Sequence, residues 1–209
     1  MESESKVQWV YSSENNDELG ERYDEWAAEY DVDLEADFAW EAPQRAVEYV
    51  AKHVPTSASV LDAGAGTGLV GELLSRRGYK ILTAMDLSQG MLDVAAKKGV
   101  YQELRQMAMG EPLDLPTDGF EAVVCVGVLT VGHAPAHSLD ELVRVTRPGG
   151  HIVFSMRPDV YENDGFKEKQ SALVASKAWE LVEVSDSFLG LPKGEPDVLM
   201  QIWVYRITI

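Results

Sequence analysis

The chain has one cysteine, Cys125, among 209 residues. An intramolecular disulfide is therefore excluded, and a reducing compartment, the cytoplasm, is the expected setting. Histidine is almost as scarce. Four scattered His residues and one thiol do not assemble a ligand set for zinc, so no metal is expected. Long apolar runs are missing too. The longest, Ala122–Val131, contains Gly127 and reaches only about half the ~20 residues that a membrane-spanning helix needs. The start, MESESKVQ, has neither the basic opening nor the apolar centre of a secretion signal.

Positive charge is the last shortage. The chain carries 18 Lys+Arg against 35 Asp+Glu, a formal net charge of −17. A protein that grips a nucleic-acid backbone or an anionic membrane does so with a basic face. Both partners are disfavoured here. The imbalance is also local. Residues 1–41 hold 14 acids and 2 bases, Lys6 and Arg22, whereas residues 42–209 hold 21 acids and 16 bases. The rest of the chain is thus an ordinary, mildly acidic composition with enough apolar residues, 45%, for a full core.

Residues 1–17 are polar and unpatterned and are expected to be a flexible acidic leader, with residues 18–209 forming a single domain. Tyr23, Trp26 and Tyr30 recur at spacings of three and four, which puts their rings on one helical face. A segment over 18–41 is therefore expected to be a helix, serving either as core packing or as a mobile lid whose acids keep it solvated. Ala42–Val54 reads as an amphipathic helix with Pro43 in its first turn.

Strands and helices then alternate. Strands are predicted at Ser59–Asp62, Tyr79–Met85, Tyr101–Met109, Phe120–Gly127, His151–Met156, Glu180–Ser187 and Val198–Ile207. Helices are predicted after the glycines to Arg77, from a Ser88 cap to Lys98, over Ser138–Val145 and over Phe166–Ala178. This pattern predicts an α/β fold: a Rossmann-like, doubly wound, seven-stranded sheet, mostly parallel, with an antiparallel C-terminal strand and helices on both faces. Arg147-Pro148-Gly149-Gly150 reads as a turn, Cys125 as a buried inert thiol and Gly71 as a packing glycine.

The chemistry concentrates in Val60-Leu61-Asp62-Ala63-Gly64-Ala65-Gly66-Thr67-Gly68, a strand running through glycines into a helix. Glycines let the backbone approach a ligand, and a helix start offers free N–H groups. Asp86, twenty residues after Gly66, stands at the end of the second strand, where an acid accepts the hydroxyls of a ribose. An adenosine-containing ligand is implied. Gly66-x-Gly68-x-x-Gly71 also satisfies the dinucleotide fingerprint, so a nicotinamide oxidoreductase has to be weighed. Asp62 opposes it, because a carboxylate beside the first glycine repels a pyrophosphate and suits a cationic ligand. S-adenosylmethionine has a ribose, an ammonium and a sulfonium, and no phosphate.

The segment 62–68, Asp86, the strand Glu121–Gly127 and Arg147-Pro148-Gly149-Gly150 together resemble the class I S-adenosylmethionine-dependent methyltransferases. Tyr23–Asp31, Met85–Leu92 and Gly99–Leu104 resemble, more narrowly, the methyltransferase-like proteins of the Williams–Beuren syndrome region and their bacterial relatives. The resemblance implies that Gly64, Ala65 and Gly66 line the methionine part of the cofactor and that Asp62 orients its ammonium. It implies Asp86 on the ribose and Leu87 and Met91 beside the adenine, positions that core packing alone would also explain. Met109 replaces an acid that many relatives use for the adenine amino group, leaving that contact to the backbone of Ala108 or Met109. Val126 and Gly127 would face the sulfonium. From their place on the aromatic stripe, Trp26 and Tyr30 are expected either to roof the cofactor or to offer an aromatic wall to the substrate. S-adenosylhomocysteine would be the product.

Methyl transfer asks mainly for alignment and exclusion of water. His133 follows the fourth strand and is the candidate general base, set against a histidine that merely bonds loop backbone before Pro135; His137 reads as a cap or surface residue. The acceptor is expected to be a small molecule or a protein side chain, and the protein a monomer. A cofactor-binding protein without turnover is the reading from another class.

Overall fold

The computed structural model describes residues 3–34, 38–193 and 195–209. Its elements in chain order are α1 (Ser3–Tyr11), α2 (Asn16–Trp26), α3 (Tyr30–Asp33), α4 (Ala42–His53), β1 (Ser59–Ala63), α5 (Leu69–Arg76), β2 (Ile81–Asp86), α6 (Gln89–Lys98), β3 (Glu103–Gln106), β4 (Phe120–Cys125), α7 (Ser138–Val145), β5 (Thr146–Met156), α8 (Pro158–Asn163), α9 (Phe166–Ala175), β6 (Trp179–Val184), β7 (Phe188–Leu191) and β8 (Glu195–Ile207).

The strands form one sheet in the order β3-β2-β1-β4-β5-β8-β6, with β7 pairing β8. The first five on this path run parallel. β8 is antiparallel to β5, β6 and β7. The path has the seven strands read from the sequence, and β7 is an eighth that was not anticipated. Its Phe188↔Met200 and Leu189↔Leu199 pairs extend the first half of β8 across what reads as a Pro/Gly turn. β5 also begins earlier than expected. The Arg147–Gly150 segment lies inside it, accommodated by a register shift between Phe120 and Ala122 of β4 and by Gly149 at φ +81°.

Period-two alternation sorts the strands between two cores. Leu61, Val123, Cys125, Phe154 and Tyr205 face α7 and α9. Val60, Val124, Val153 and Val204 face α4 and α5. Burying this much apolar side chain on both faces is what stabilises the sheet, at roughly 1.5–3 kcal/mol for each fully buried Val, Leu or Phe. Local signals fix the helix starts. Pro43 sits in the first turn of α4, and Ser88 caps α6 by accepting from Met91 N at 3.0 Å.

The N-terminal fifth differs from expectation. The segment read as a flexible leader forms α1, whose Val7 and Val10, three apart, are buried against Leu19, Trp26 and Phe38. The three-residue spacing gives this short helix an apolar side that the dense acids around it obscure in the sequence. The segment read as one helix over 18–41 is broken into α2 and α3 at Ala27–Glu29. Asp31 and Asp33, just after the break, make the contacts described below. Residues 35–37 of the expected helix lie outside the described residues.

Candidate functional site

The chain leaves β1 toward β2 and β3 on one side, then returns to β4 and β5 on the other. The neighbouring loops diverge at this reversal of strand order, so a crevice opens at the carboxyl ends of β1 and β4. A cleft lies there, with about 830 Å³ of atom-free space including its open mouth.

The glycine loop forms its floor. Gly64, Gly66 and Gly68 all have positive φ, +78°, +53° and +85°, a region that disfavours side chains. Gly64 and Ala65 N–H donate to the Met85 carbonyl at 2.8 and 2.9 Å, tying the loop to β2. A Cβ on Gly64 would stand 2.2 Å from Val128 Cγ2. At Gly66 a Cβ would meet nothing within 4 Å, so this backbone faces the open cleft.

Asp86 stands at the tip of β2, on the cleft lining, 9% exposed. Gly66 N–H donates to its Oδ2 at 2.7 Å and Ser88 N–H to its Oδ1 at 2.9 Å. Burial pushes its pKa up, and these backbone donors oppose that shift. The carboxylate is thus aimed by the glycine loop, with lone pairs left for a ligand's hydroxyls.

Most residues singled out in the sequence meet on this lining: Tyr30, Gly64, Ala65, Gly66, Asp86, Leu87, Met91, Ala108, Met109, Val126, Gly127 and His133. Asp62 and Trp26 do not. Asp62 is 1% exposed and accepts the Tyr101 O–H at 2.6 Å, while Gly71 N–H donates to the Tyr101 oxygen at 3.1 Å. The carboxylate therefore lies beneath the loop, in a buried network that ties β1 to α5. Burial pushes its pKa up to about 7. Trp26 points into the core of the N-terminal helices and donates Nε1–H to Asp33 at 2.7 Å. Its spacing marks the helical face, but its ring turns into the cluster with Val7 and Val10, while Tyr23 and Tyr30 of the same stripe line the cleft. Gly71 also belongs to the Asp62 network. A Cβ there would lie 2.1 Å from Tyr101 Oη, so Gly71→Ala is expected to destabilise the fold by about 1–3 kcal/mol, read as a fall in Tm.

Other lining residues carried no sequence signal beyond being apolar or aromatic: Leu19, Tyr23, Trp40, Met107 and Val128. Trp40 lies against Gly127, where a Cβ would come within 2.9 Å of its ring. Tyr23 belongs to the aromatic stripe, yet nothing in its spacing marked it as facing His133.

The helices α2 and α3 cover the cleft and are fastened by side chains. Asp24 accepts from Ser88 Oγ at 2.5 Å and from Gly90 N at 2.7 Å, at the start of α6. Asp31 accepts from Thr67 Oγ1 of the glycine loop and from Lys98 Nζ at 2.8 Å. Tyr23 Oη is 2.7 Å from His133 Nε2. The two leader bases hold the helices to one another. Lys6 pairs with Glu29 and, at 3.0 Å, with Asp33; Arg22 bonds Glu18, the Trp9 carbonyl and, at 2.8 Å, Ser12.

Reversed strand order, a glycine loop with one bare backbone position and a loop-aimed carboxylate at the tip of β2 define a Rossmann-like site for an adenosine-bearing cofactor. Comparison with known proteins narrows the class. A family described as a methyltransferase domain matches residues 61–154. Human methyltransferase-like protein 27 is 40% identical over 139 residues, covering 65% of this chain and 56% of that protein. A ubiquinone biosynthesis O-methyltransferase of Alkalilimnicola ehrlichii is 35% identical over 100 residues, covering 46% of this chain and 40% of that protein. The chain spans about half the length of the curated relatives it matches. A solved S-adenosylmethionine-dependent methyltransferase of Thermotoga maritima, possibly a histamine N-methyltransferase, shares the fold with a TM-score of 0.65 at 17% identity, covering 88% of this chain and 97% of that one. Residues 61–154 thus match a methyltransferase domain, and the chain is similar in fold to S-adenosylmethionine-dependent methyltransferases. Among the described residues no helix is long and apolar enough to cross a membrane, and no group of His, Cys, Asp or Glu has metal-binding geometry.

Proposed function

We propose that this protein binds S-adenosylmethionine in the cleft and transfers its methyl group to an acceptor enclosed beneath α1–α3, which act as a mobile lid. The observation that carries the reading is Asp86, aimed by Gly66 N–H at the tip of β2 beside a glycine whose missing side chain leaves the cleft floor bare. That pair fits a ribose and the methionine part of the cofactor lying across the sheet reversal.

Asp86 would hold the ribose hydroxyls, and the backbone of Gly64–Gly66 the methionine part. Leu87 and Met91 would flank the adenine, with Ala108 and Met109 at its edge. Val126 and Gly127 would border the sulfonium. Bound there, the cofactor supplies a methyl carbon whose bond to sulfur breaks with its electron pair left on sulfur. The chain then has only to align the acceptor, exclude water and accept any proton the acceptor loses.

A dinucleotide is poorly served. The start of α5, where a pyrophosphate would sit, has Asp31 on Thr67 and the buried Asp62 behind it. Gly71, the last glycine of that fingerprint, packs on Tyr101. Among the described residues the lining carries one charged side chain, Asp86, which favours an uncharged, slender acceptor group on a small molecule or side chain. The similar proteins are named for both O- and N-methylation, so their names do not choose the acceptor atom. Titration calorimetry tests the reading directly. S-adenosylmethionine and S-adenosylhomocysteine are expected to bind with micromolar affinity and NAD not at all. Binding of NAD alone would refute it.

A further inference from the structure

One pair of titratable side chains on the cleft lining has no part in holding the cofactor. Tyr23 Oη and His133 Nε2 are 2.7 Å apart, and both residues line the cleft. The other ring nitrogen, Nδ1, is 3.0 Å from the Val131 carbonyl oxygen. A carbonyl oxygen can only accept, so Nδ1 carries the proton and Nε2 of the neutral ring accepts the Tyr23 O–H. The single lone pair of Nε2 is therefore already taken. Tyr23 Oη keeps lone pairs of its own.

The surroundings favour this arrangement. Burial lowers the pKa of His133 and keeps its ring neutral. Burial, with Asp86 adding to it, holds the Tyr23 phenol well above its usual range, so the hydroxyl keeps its proton at rest. Besides Asp86, two phenols face the pair. Tyr11 of α1 lies edge-on to the imidazole at 5.3 Å, and Tyr30 of α3 lies 6.2 Å from the Tyr23 ring.

We propose that Tyr23 is the catalytic residue that meets the acceptor, with His133 behind it as the final proton acceptor, and that the acceptor is accordingly a hydroxyl or thiol compound. This rests on the methyltransferase reading above. As the acceptor oxygen or sulfur gives its proton to Tyr23 Oη, the phenolic proton passes to His133 Nε2. One acceptor O–H or S–H bond breaks and one N–H bond forms, and the imidazolium stays held at Nδ1 by Val131. A neutral amine attacks with a lone pair that is already free and sheds its proton only after the transfer, so only an acceptor that must lose a proton as it attacks makes use of this relay.

Histidine NMR tests the pair in the free protein and at saturating S-adenosylhomocysteine, with His133→Gln assigning its signals among the four histidines. The wild type is expected to show the Nδ1–H tautomer and a pKa below the ordinary histidine value. The phenolic O–H stabilises only the neutral ring, so Tyr23→Phe is expected to raise that pKa by about half to one unit. In a screen of hydroxyl, thiol and amine compounds for S-adenosylhomocysteine release, Tyr23→Phe is expected to lose about 100-fold with the first two classes. A wild-type Nε2–H tautomer overturns the relay, and so does unchanged titration in Tyr23→Phe. Turnover with amines alone overturns the acceptor class. The wild-type tautomer needs no variant to fold. Measured in the free protein, it stands apart from failure of cofactor binding, which the calorimetry reports.

Discussion

Asp86→Ala is expected to weaken S-adenosylhomocysteine binding about 100-fold, measured by calorimetry. The substitution removes a charged acceptor that would take two ribose hydroxyls. It also removes the group that aims the glycine loop, because Gly66 and Ser88 N–H both donate to Asp86. Charge-assisted hydrogen bonds contribute about 1.5–3 kcal/mol each, and 1.4 kcal/mol is a tenfold change in affinity. The fold should survive. Asp86 lies at the edge of the core, and its raised pKa shows that its burial already opposes the charged form. A small shift in Tm with a large loss of affinity is therefore the expected pair of results. Unchanged affinity would remove the ribose contact from this residue.

The second large effect concerns the lid. The double substitution Asp24→Ala and Asp31→Ala deletes four of the hydrogen bonds that fasten α2 and α3 to the glycine loop and to α6 with its cap, on Thr67, Ser88, Gly90 and Lys98. It leaves the internal clamps of Lys6 and Arg22 and the apolar cluster of Val7, Val10, Leu19 and Trp26 in place. The helices should stay folded as a unit but open more often. Hydrogen exchange of residues 3–34 is expected to accelerate about 10–100-fold, with the exchange of β1 and β4 unchanged. Exchange in the wild type should slow when S-adenosylhomocysteine is added. Equal exchange in wild type and double variant would show that the apolar cluster alone seats the lid.

These acids bear on what the sequence could convey. The acidity of the first 41 residues reads as a solubility trait, and its sign is plain from composition. That particular acids of this stretch reach loops 36 and 64 residues further on is a tertiary fact, and no local pattern encodes it. The same contrast runs through the site. Gly64–Gly68 and Asp86 were legible because backbone geometry and strand ends demand those residue types at that spacing. Asp62 was legible as an acid but not as a buried one, since its orientation is decided by Tyr101, 39 residues later. Trp26 and Tyr23 share one helical stripe, and only packing against α1 tells which ring turns inward and which meets His133. In the sheet, long buried strands such as β4 announced themselves. β7 did not, because four residues ending beside Gly190 pair with β8 only through the register that β8 brings.

Asp24 carries a further consequence. Its carboxylate accepts from Gly90 N and Ser88 Oγ, and Ser88 itself caps α6. An anion at a helix start is favourable, so the chain's N-terminal fifth supplies part of the end group of a helix that lies within residues 61–154, the stretch matched by the methyltransferase-domain family. The stretch matched by the family therefore stops short of a contact that its own helix makes. A polypeptide begun at residue 42 would keep every strand, yet α6 would start without that partner and the cleft would have no roof.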